Sequence, residues 1–103
     1  MDKKAVKNYF ISLQNEISTA LKSVDNKEFF VDKWDRPEGG GGESRIFADG
    51  DLIEKGGVNF SHVLGETMPS AATAKRPELL GASWEAMGAV SYTHLRAHET
   101  KWH

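Results

Sequence analysis

Residues 44–55 read SRIFADGDLIEK, two short apolar segments that meet at an Asp-Gly pair. Asp49-Gly50 is a strong signal for a two-residue β-hairpin turn, because both residues tolerate the positive backbone angles that such a turn requires. Residues 44–48 are therefore predicted to form a strand, and 51–55 to return beside it. A third strand-like segment, 58–63, follows two further glycines. This order of short strands predicts an antiparallel β-meander.

Upstream of the meander, apolar residues recur with the period of a helix, at steps of three or four: Val6, Phe10, Leu13, Ile17 and Leu21. The spacing predicts an amphipathic helix over about 3–23 whose apolar stripe packs against the core. Asp25-Asn26 then reads as a turn, and 28–34 has the aromatic and β-branched content of a strand. The fold class is therefore α+β, a helix followed by the meander.

Downstream, residues 65–78 hold two of the three prolines and are predicted to be an irregular connection. The next segment, 79–87, fits either a short helix or a strand.

Length and composition restrict the possible functions. The chain has 103 residues, a formal net charge of −2 and no cysteine. One domain at most is expected, and no basic field favours nucleic acid or an anionic membrane as a partner. The missing cysteines exclude disulfides and thiolate metal sites. No apolar run has the length of a bilayer span and no secretory signal opens the sequence, so a cytoplasmic protein is predicted.

The four consecutive glycines at 39–42 are the strongest functional signal. A flexible linker is one reading. Their flanks, with Trp34 and Arg36 before and Arg45 after, favour a structured loop or bulged strand that presents bare backbone to a ligand. Neither the dinucleotide-binding nor the P-loop glycine pattern fits. We expect Gly40 and Gly41 to lie at such a binding site.

Arg36 and Arg45 are candidate anion ligands, because a guanidinium fork matches a carboxylate with two parallel hydrogen bonds. Surface ion pairing with neighbouring acidic residues is the alternative for each. Asn59 and Ser61 are predicted to share one strand face, with His62 on the other. His94 and His98 have helical ligand spacing, but nothing completes a zinc site around them, so no metal is predicted.

These residues resemble the oxygen-dependent coproporphyrinogen oxidase family. The resemblance lies in five stretches of the chain: Leu13-Gln14, the Trp34 to Arg45 segment with its glycine tract, the 54–65 segment EKGGVNFSHVLG, the 68–78 segment MPSAATAKRPE, and EAMG at 85–88. Together they cover most of residues 13–88.

The resemblance implies a cytoplasmic, homodimeric enzyme of haem and porphyrin biosynthesis. Such an enzyme converts two propionates of coproporphyrinogen III to vinyl groups by oxidative decarboxylation, with O2 as co-substrate and no metal or organic cofactor. It further implies a larger flat antiparallel sheet flanked by helices, with the macrocycle held over the sheet. On this basis the substrate-binding candidates in this chain are Arg36, Gly40, Gly41, Arg45, Asn59 and Ser91, and no catalytic residue is assigned.

The resemblance ends at Gly88. Ser91 matches the family's substrate-contacting serine only if one residue is inserted, and the following segment resembles translated sequencing-adapter DNA. We therefore expect residues 1–88 to be the N-terminal part of a coproporphyrinogen oxidase domain and 89–103 to be an unrelated, disordered or artefactual tail. Such a fragment is expected to be inactive by itself. A small non-enzymatic anion-binding or interaction module is the alternative.

Overall fold

The computed structural model describes residues 2–68 and 73–97, and it shows one helix and a four-stranded sheet. The order along the chain is α1 Lys3–Asp25, β1 Phe30–Asp35, β2 Gly40–Ala48, β3 Ile53–Gly65, a short 3-10 helix Pro77–Leu79 and β4 Trp84–Leu95. The strands lie in the order β1-β2-β3-β4 and every neighbouring pair is antiparallel. The predicted α+β fold with a helix before a meander is confirmed.

Both ends of α1 are capped by residues of the expected type. The Asp2 carboxylate accepts a hydrogen bond from the amide of Ala5 at 3.1 Å. At the other end Asn26 adopts a left-handed conformation, with φ of 48°, and its amide donates to the carbonyl of Lys22. Asparagine tolerates this conformation better than most residues. The turn predicted at Asp25-Asn26 therefore begins one residue later, at Asn26, because Asp25 is the last residue of α1.

The β2–β3 hairpin differs from the sequence prediction in length. Its loop spans the four residues 49–52 rather than the two of Asp49-Gly50. The Asp25 carboxylate, at the end of α1, accepts hydrogen bonds from the amides of Leu52 and Ile53 at 2.9 and 3.0 Å. The two-residue turn was wrong because this contact from a distant part of the chain stabilises the wider loop.

The strands predicted at 51–55 and 58–63 form one continuous strand, β3, so the glycine pair between them does not end it. For the 79–87 segment the sequence allowed either a short helix or a strand. The structure has a 3-10 turn that ends at Leu79 and a strand that begins at Trp84. Residues 89–95, which the sequence assigns to an unrelated tail, lie in β4 beside β3, so disorder is not found there. Residues 98–103 lie outside the described residues.

Helix α1 covers one side of the sheet, which we call the helix face; the other side is the open face. Phe47, Ile53 and Val58 are buried on the helix face against Ile17, Leu21 and Phe29. The buried Gln14 carboxamide on α1 donates to the carbonyls of Glu43 and Val58 at 2.9 and 3.1 Å. These contacts place the core between α1 and the central strands. The open face instead exposes large apolar side chains of β1, β2 and β4: Phe30, Ile46, Val90 and Tyr92.

Candidate functional site

The glycine tract begins in the turn of the β1–β2 hairpin and continues into β2. The amide of Gly39 donates to the carbonyl of Arg36, and the amide of Arg36 donates to the carbonyl of Gly40, both at 2.9 Å. Gly39 and Gly40 have φ of 132° and 87°, a region that L-residues with side chains rarely adopt. The tract is therefore a structured hairpin element, and the linker reading does not hold.

Three glycines on the open face lie directly beneath aromatic rings. A Cβ atom on Gly42 would lie 2.5 Å from Cζ2 of Trp34, and one on Gly57 would lie 2.8 Å from Cε1 of Tyr92. At Gly65 a Cβ would overlap the indole of Trp84. The bare backbone that the sequence pattern predicted is thus occupied by the protein's own aromatic rings at these three positions.

Between these rings the open face carries small and polar side chains. Directly paired residues of an antiparallel sheet share a face, so Trp34, Gly42, Ser61 and Gly88 form one row across the four strands. The adjacent row holds Asp32, Ser44, Asn59 and Val90. The expectation that Asn59 and Ser61 share a face is met by this register. The open face is therefore flat between the rings, because neither row carries a large side chain on β2 or β3.

Arg45 lies on the helix face and its guanidinium is already bound. Its Nε donates to Glu43 Oε2 at 2.8 Å, and its Nη1 donates to the hydroxyl of Ser18 at 3.3 Å. The guanidinium carbon lies 5.5 Å from the centroid of the Phe29 ring, and only 17% of the side chain is exposed. Arg45 therefore connects β2 to α1 within the described structure.

Arg36 lies at the end of the sheet, beside a cleft of about 480 Å³. We call it the Arg36 cleft; it is lined by Arg36, Pro37, Glu38, Gly65, Glu66, Thr67 and Trp84. Arg36 Nη1 donates to the carbonyl of Leu64 at 2.5 Å, and the guanidinium carbon lies 5.3 Å from the centroid of the Trp84 ring. Trp84 was not among the residues that the sequence singled out. What marks Trp84 is its position opposite Gly65 in the sheet, and this can be seen only once the β3–β4 register is known.

A second group of charged residues lies on the helix face near the start of α1. The His62 ring nitrogen contacts one oxygen of Glu85, and Lys3 Nζ lies 2.8 Å from the other. The hydrogen bond from Lys3, followed by that from His62, lowers the pKa of the Glu85 carboxyl below its usual value. As the sequence predicted, His62 lies on the face opposite Asn59. A proton-transfer role for His62 stays a prediction.

The six candidate ligands do not converge on one point. The register puts Gly40 and Asn59 on the open face, and Gly41, Arg45 and Ser91 on the helix face. Arg36 lies at the sheet end, in the hairpin turn. Their roles in substrate binding stay predictions. The structure divides them among the open face, the helix face and the hairpin turn, a division that the sequence did not predict.

The described residues form neither a metal-ligand cluster nor a membrane-spanning helix. In residues 2–68 and 73–97, no three or more His, Asp or Glu side chains are grouped so that they could hold a metal ion. Over the same ranges, no helix is both long and apolar enough to span a bilayer. His98 and the final His103 lie outside the described residues.

A family model described as coproporphyrinogen III oxidase matches residues 5–98. The matched segment includes nearly all of α1 and all four strands, and it confirms the resemblance found in the sequence. It extends beyond Gly88, and the origin of residues 89–103 stays a prediction.

Proposed function

The chain belongs to the coproporphyrinogen III oxidase family, and we propose that it is part of an enzyme that uses O2 to convert two propionates of coproporphyrinogen III to vinyl groups. Membership places it among oxidoreductases of porphyrin biosynthesis. The observation that carries the proposal is the family match over residues 5–98 of 103.

In each proposed half-reaction the propionate carbon attached to the pyrrole ring loses a hydride equivalent, the bond from the next carbon to the carboxylate breaks to release CO2, and the electron pair of that bond forms the C=C bond of the vinyl group. O2 accepts the two electrons together with that hydrogen and one proton from solvent, and leaves as H2O2. We propose that no metal and no organic cofactor takes part. The parent enzyme is proposed to be a cytoplasmic homodimer.

The open face supports a flat ligand in this role. Its Gly42-Ser61-Gly88 row has little side-chain bulk, and the Trp34 ring borders it on β1. A macrocycle needs an extended floor, and an aromatic ring at its edge offers both apolar area and a stacking surface. Asn59, in the adjacent row, is proposed to be a polar contact on the same floor.

We further propose that the 103-residue chain is inactive by itself. Val90 of the open face is 64% exposed, and the neighbouring large apolar side chains of this face are exposed as well. A closed active site expels water and so protects reactive intermediates from side reactions. An uncovered face cannot exclude water in this way.

The proposal is tested with the purified chain and with the longer reading frame that contains it. Each is incubated with coproporphyrinogen III in air, and protoporphyrinogen IX is measured by fluorescence after oxidation to protoporphyrin. We expect no product above the no-enzyme rate from the chain, and one O2 consumed per vinyl group formed by the longer protein.

Two controls separate the parts of the proposal. Under argon the longer protein should form no product, whereas an added chelator should leave its rate unchanged. Product formed without O2 would contradict oxygen dependence, and loss of activity with the chelator would contradict a metal-free mechanism. Turnover by the 103-residue chain would contradict its inactivity.

A further inference from the structure

We propose that Arg36 and Trp84 form a binding site for one carboxylate at the end of the sheet, and that Glu38 occupies the guanidinium when no ligand is bound. The inference rests on the proposed function in one respect, that the carboxylate belongs to a tetracarboxylate macrocycle. It distinguishes between the two arginines that flank the glycine tract.

The Arg36 guanidinium is anchored but not saturated. Nη1 donates to the carbonyl of Leu64, which fixes the direction of the fork. Among the described residues its one acidic contact runs from Nε to Glu38 Oε2 at 3.5 Å, longer than the 2.7–2.9 Å typical of a charge-assisted hydrogen bond. The side chain is 30% exposed, so donor capacity remains available toward the cleft.

Trp84 holds this guanidinium without neutralising it. The indole Nε1 donates to the carbonyl of Thr67 at 3.1 Å, and the ring lies over Gly65, which has no side chain to displace it. The Arg36 guanidinium carbon is 5.3 Å from the ring centroid, within the range of a cation–π contact. An aromatic face orients a cation and leaves its charge free to bind an anion.

Arg45 lacks this freedom. Its fork already binds the Glu43 carboxylate at 2.8 Å and the Ser18 hydroxyl, and its side chain is only 17% exposed. A ligand carboxylate would have to displace both partners and enter between α1 and the sheet. Of the two arginines, Arg36 therefore has the geometry of a ligand-binding residue.

Glu38 lies in the hairpin turn beside Arg36 and its side chain is 63% exposed. An exposed ion pair of this length contributes little, so a ligand carboxylate can displace it at small cost. While it is in place, however, it competes for the same cation. Removal of its charge should therefore tighten ligand binding rather than weaken it.

The sequence offers a matched control for this site. Arg36-Pro37-Glu38 recurs as Arg76-Pro77-Glu78, and Arg76 also pairs with the glutamate two residues on, at 2.5 Å. The Arg76 side chain is 65% exposed, and among the described residues no aromatic ring lies beneath its guanidinium. R36Q and R76Q make the same change of charge in the same local sequence.

The experiment titrates the full chain and its variants with coproporphyrin III and with its uncharged tetramethyl ester, followed by porphyrin absorbance. R36Q should weaken binding of the acid about ten-fold or more, the loss expected for a charged hydrogen-bonded partner, and should leave binding of the ester nearly unchanged. R76Q should leave both unchanged. E38Q should tighten binding of the acid about two- to five-fold.

W84L tests the positioning role of the ring: it should reduce the preference for acid over ester, a ratio that general destabilisation does not alter. Because a gain of affinity cannot arise from unfolding, E38Q keeps the test valid even if R36Q folds poorly. Equal effects of R36Q and R76Q, an unchanged E38Q, or no binding of the acid would each overturn the inference. Binding through Arg36 without O2-dependent turnover by the longer protein would overturn the proposed function alone.

Discussion

Gly42 of β2 lies between the indole of Trp34 on β1 and the backbone carbonyl of Phe60 on β3, and a Cβ atom there would overlap both. We expect Gly42→Ala to push the ring or the strand aside and to lower the free energy of unfolding by roughly 1–3 kcal/mol, the usual cost of overpacking. Gly88→Ala is the control in the same row, since its Cβ would meet only the Ser61 hydroxyl at 3.8 Å. Urea unfolding followed by tryptophan fluorescence measures both, and an equal loss in the two variants would show that the Trp34 contact is not the cause.

The two arginines show what a sequence can and cannot say about single residues. Arg36 and Arg45 flank the glycine tract symmetrically, and the pattern gives each the same prediction. Strand alternation places Arg45 and Val58 on one face, but only the docking of α1 decides that this face is the buried one. The separation of an enclosed arginine from one beside a cleft is a property of tertiary packing.

At the scale of elements, local signals predicted most of the fold. The apolar period predicted α1, and Asp25-Asn26 its end, because a helix period and a left-handed cap depend on neighbouring residues only. The hairpin after β2 was predicted in place but not in length. Its loop is held by a carboxylate that lies far away in sequence, at the end of the helix, and no local pattern reports such a contact.

That contact gives the β2–β3 loop a dependence on pH. The backbone amides of Ile53 and Leu52 lower the pKa of the Asp25 carboxyl below its ordinary value of 3.8. A carboxyl with a depressed pKa contributes stability above its ordinary value and loses it as the pH falls through the lower, folded-state value. We therefore expect Asp25→Asn to lower the thermal unfolding midpoint at neutral pH, and the difference from the unmodified chain to shrink below about pH 3.8.

Thermal unfolding followed by circular dichroism over a series of pH values measures this difference. Asp51→Asn removes the same charge from an exposed position of the same loop and is expected to have little effect at any pH. Other carboxylates with lowered pKa, such as Glu85, are present in all three proteins and cancel in the comparison. A difference that stays constant with pH would mean that the Asp25 charge does not stabilise the loop.

At the scale of the whole molecule, the sheet is covered on one side only in the described residues. Among these residues four apolar side chains of β2 and β3 are buried, and three of them form the core cluster that packs against Ile17, Leu21 and Phe29. The sequence predicted β1, β2 and β3 but not β4, which it divided between a helix-or-strand segment and an unrelated tail. It also left open which face is buried, because β3 and β4 carry apolar residues on both. The docking of α1 through Gln14, Ile17 and Leu21 decides this.

Two valines on neighbouring strands allow the exposure of each face to be measured. Val58, on the helix face of β3, is 2% exposed, whereas Val90, on the open face of β4, is 64% exposed. Truncation of each to alanine removes the same atoms, so the difference in effect reports burial. We expect Val58→Ala to lower the free energy of unfolding by about 2 kcal/mol, from two buried carbon groups at about 0.8 kcal/mol each plus a small cavity. Val90→Ala should change it by less than about 0.5 kcal/mol, as at most exposed positions. Chemical denaturation at several protein concentrations measures both. A large loss for Val90→Ala that grows with concentration would mean that a second copy covers the open face in solution, and the face would then be unavailable to a flat ligand in the isolated chain.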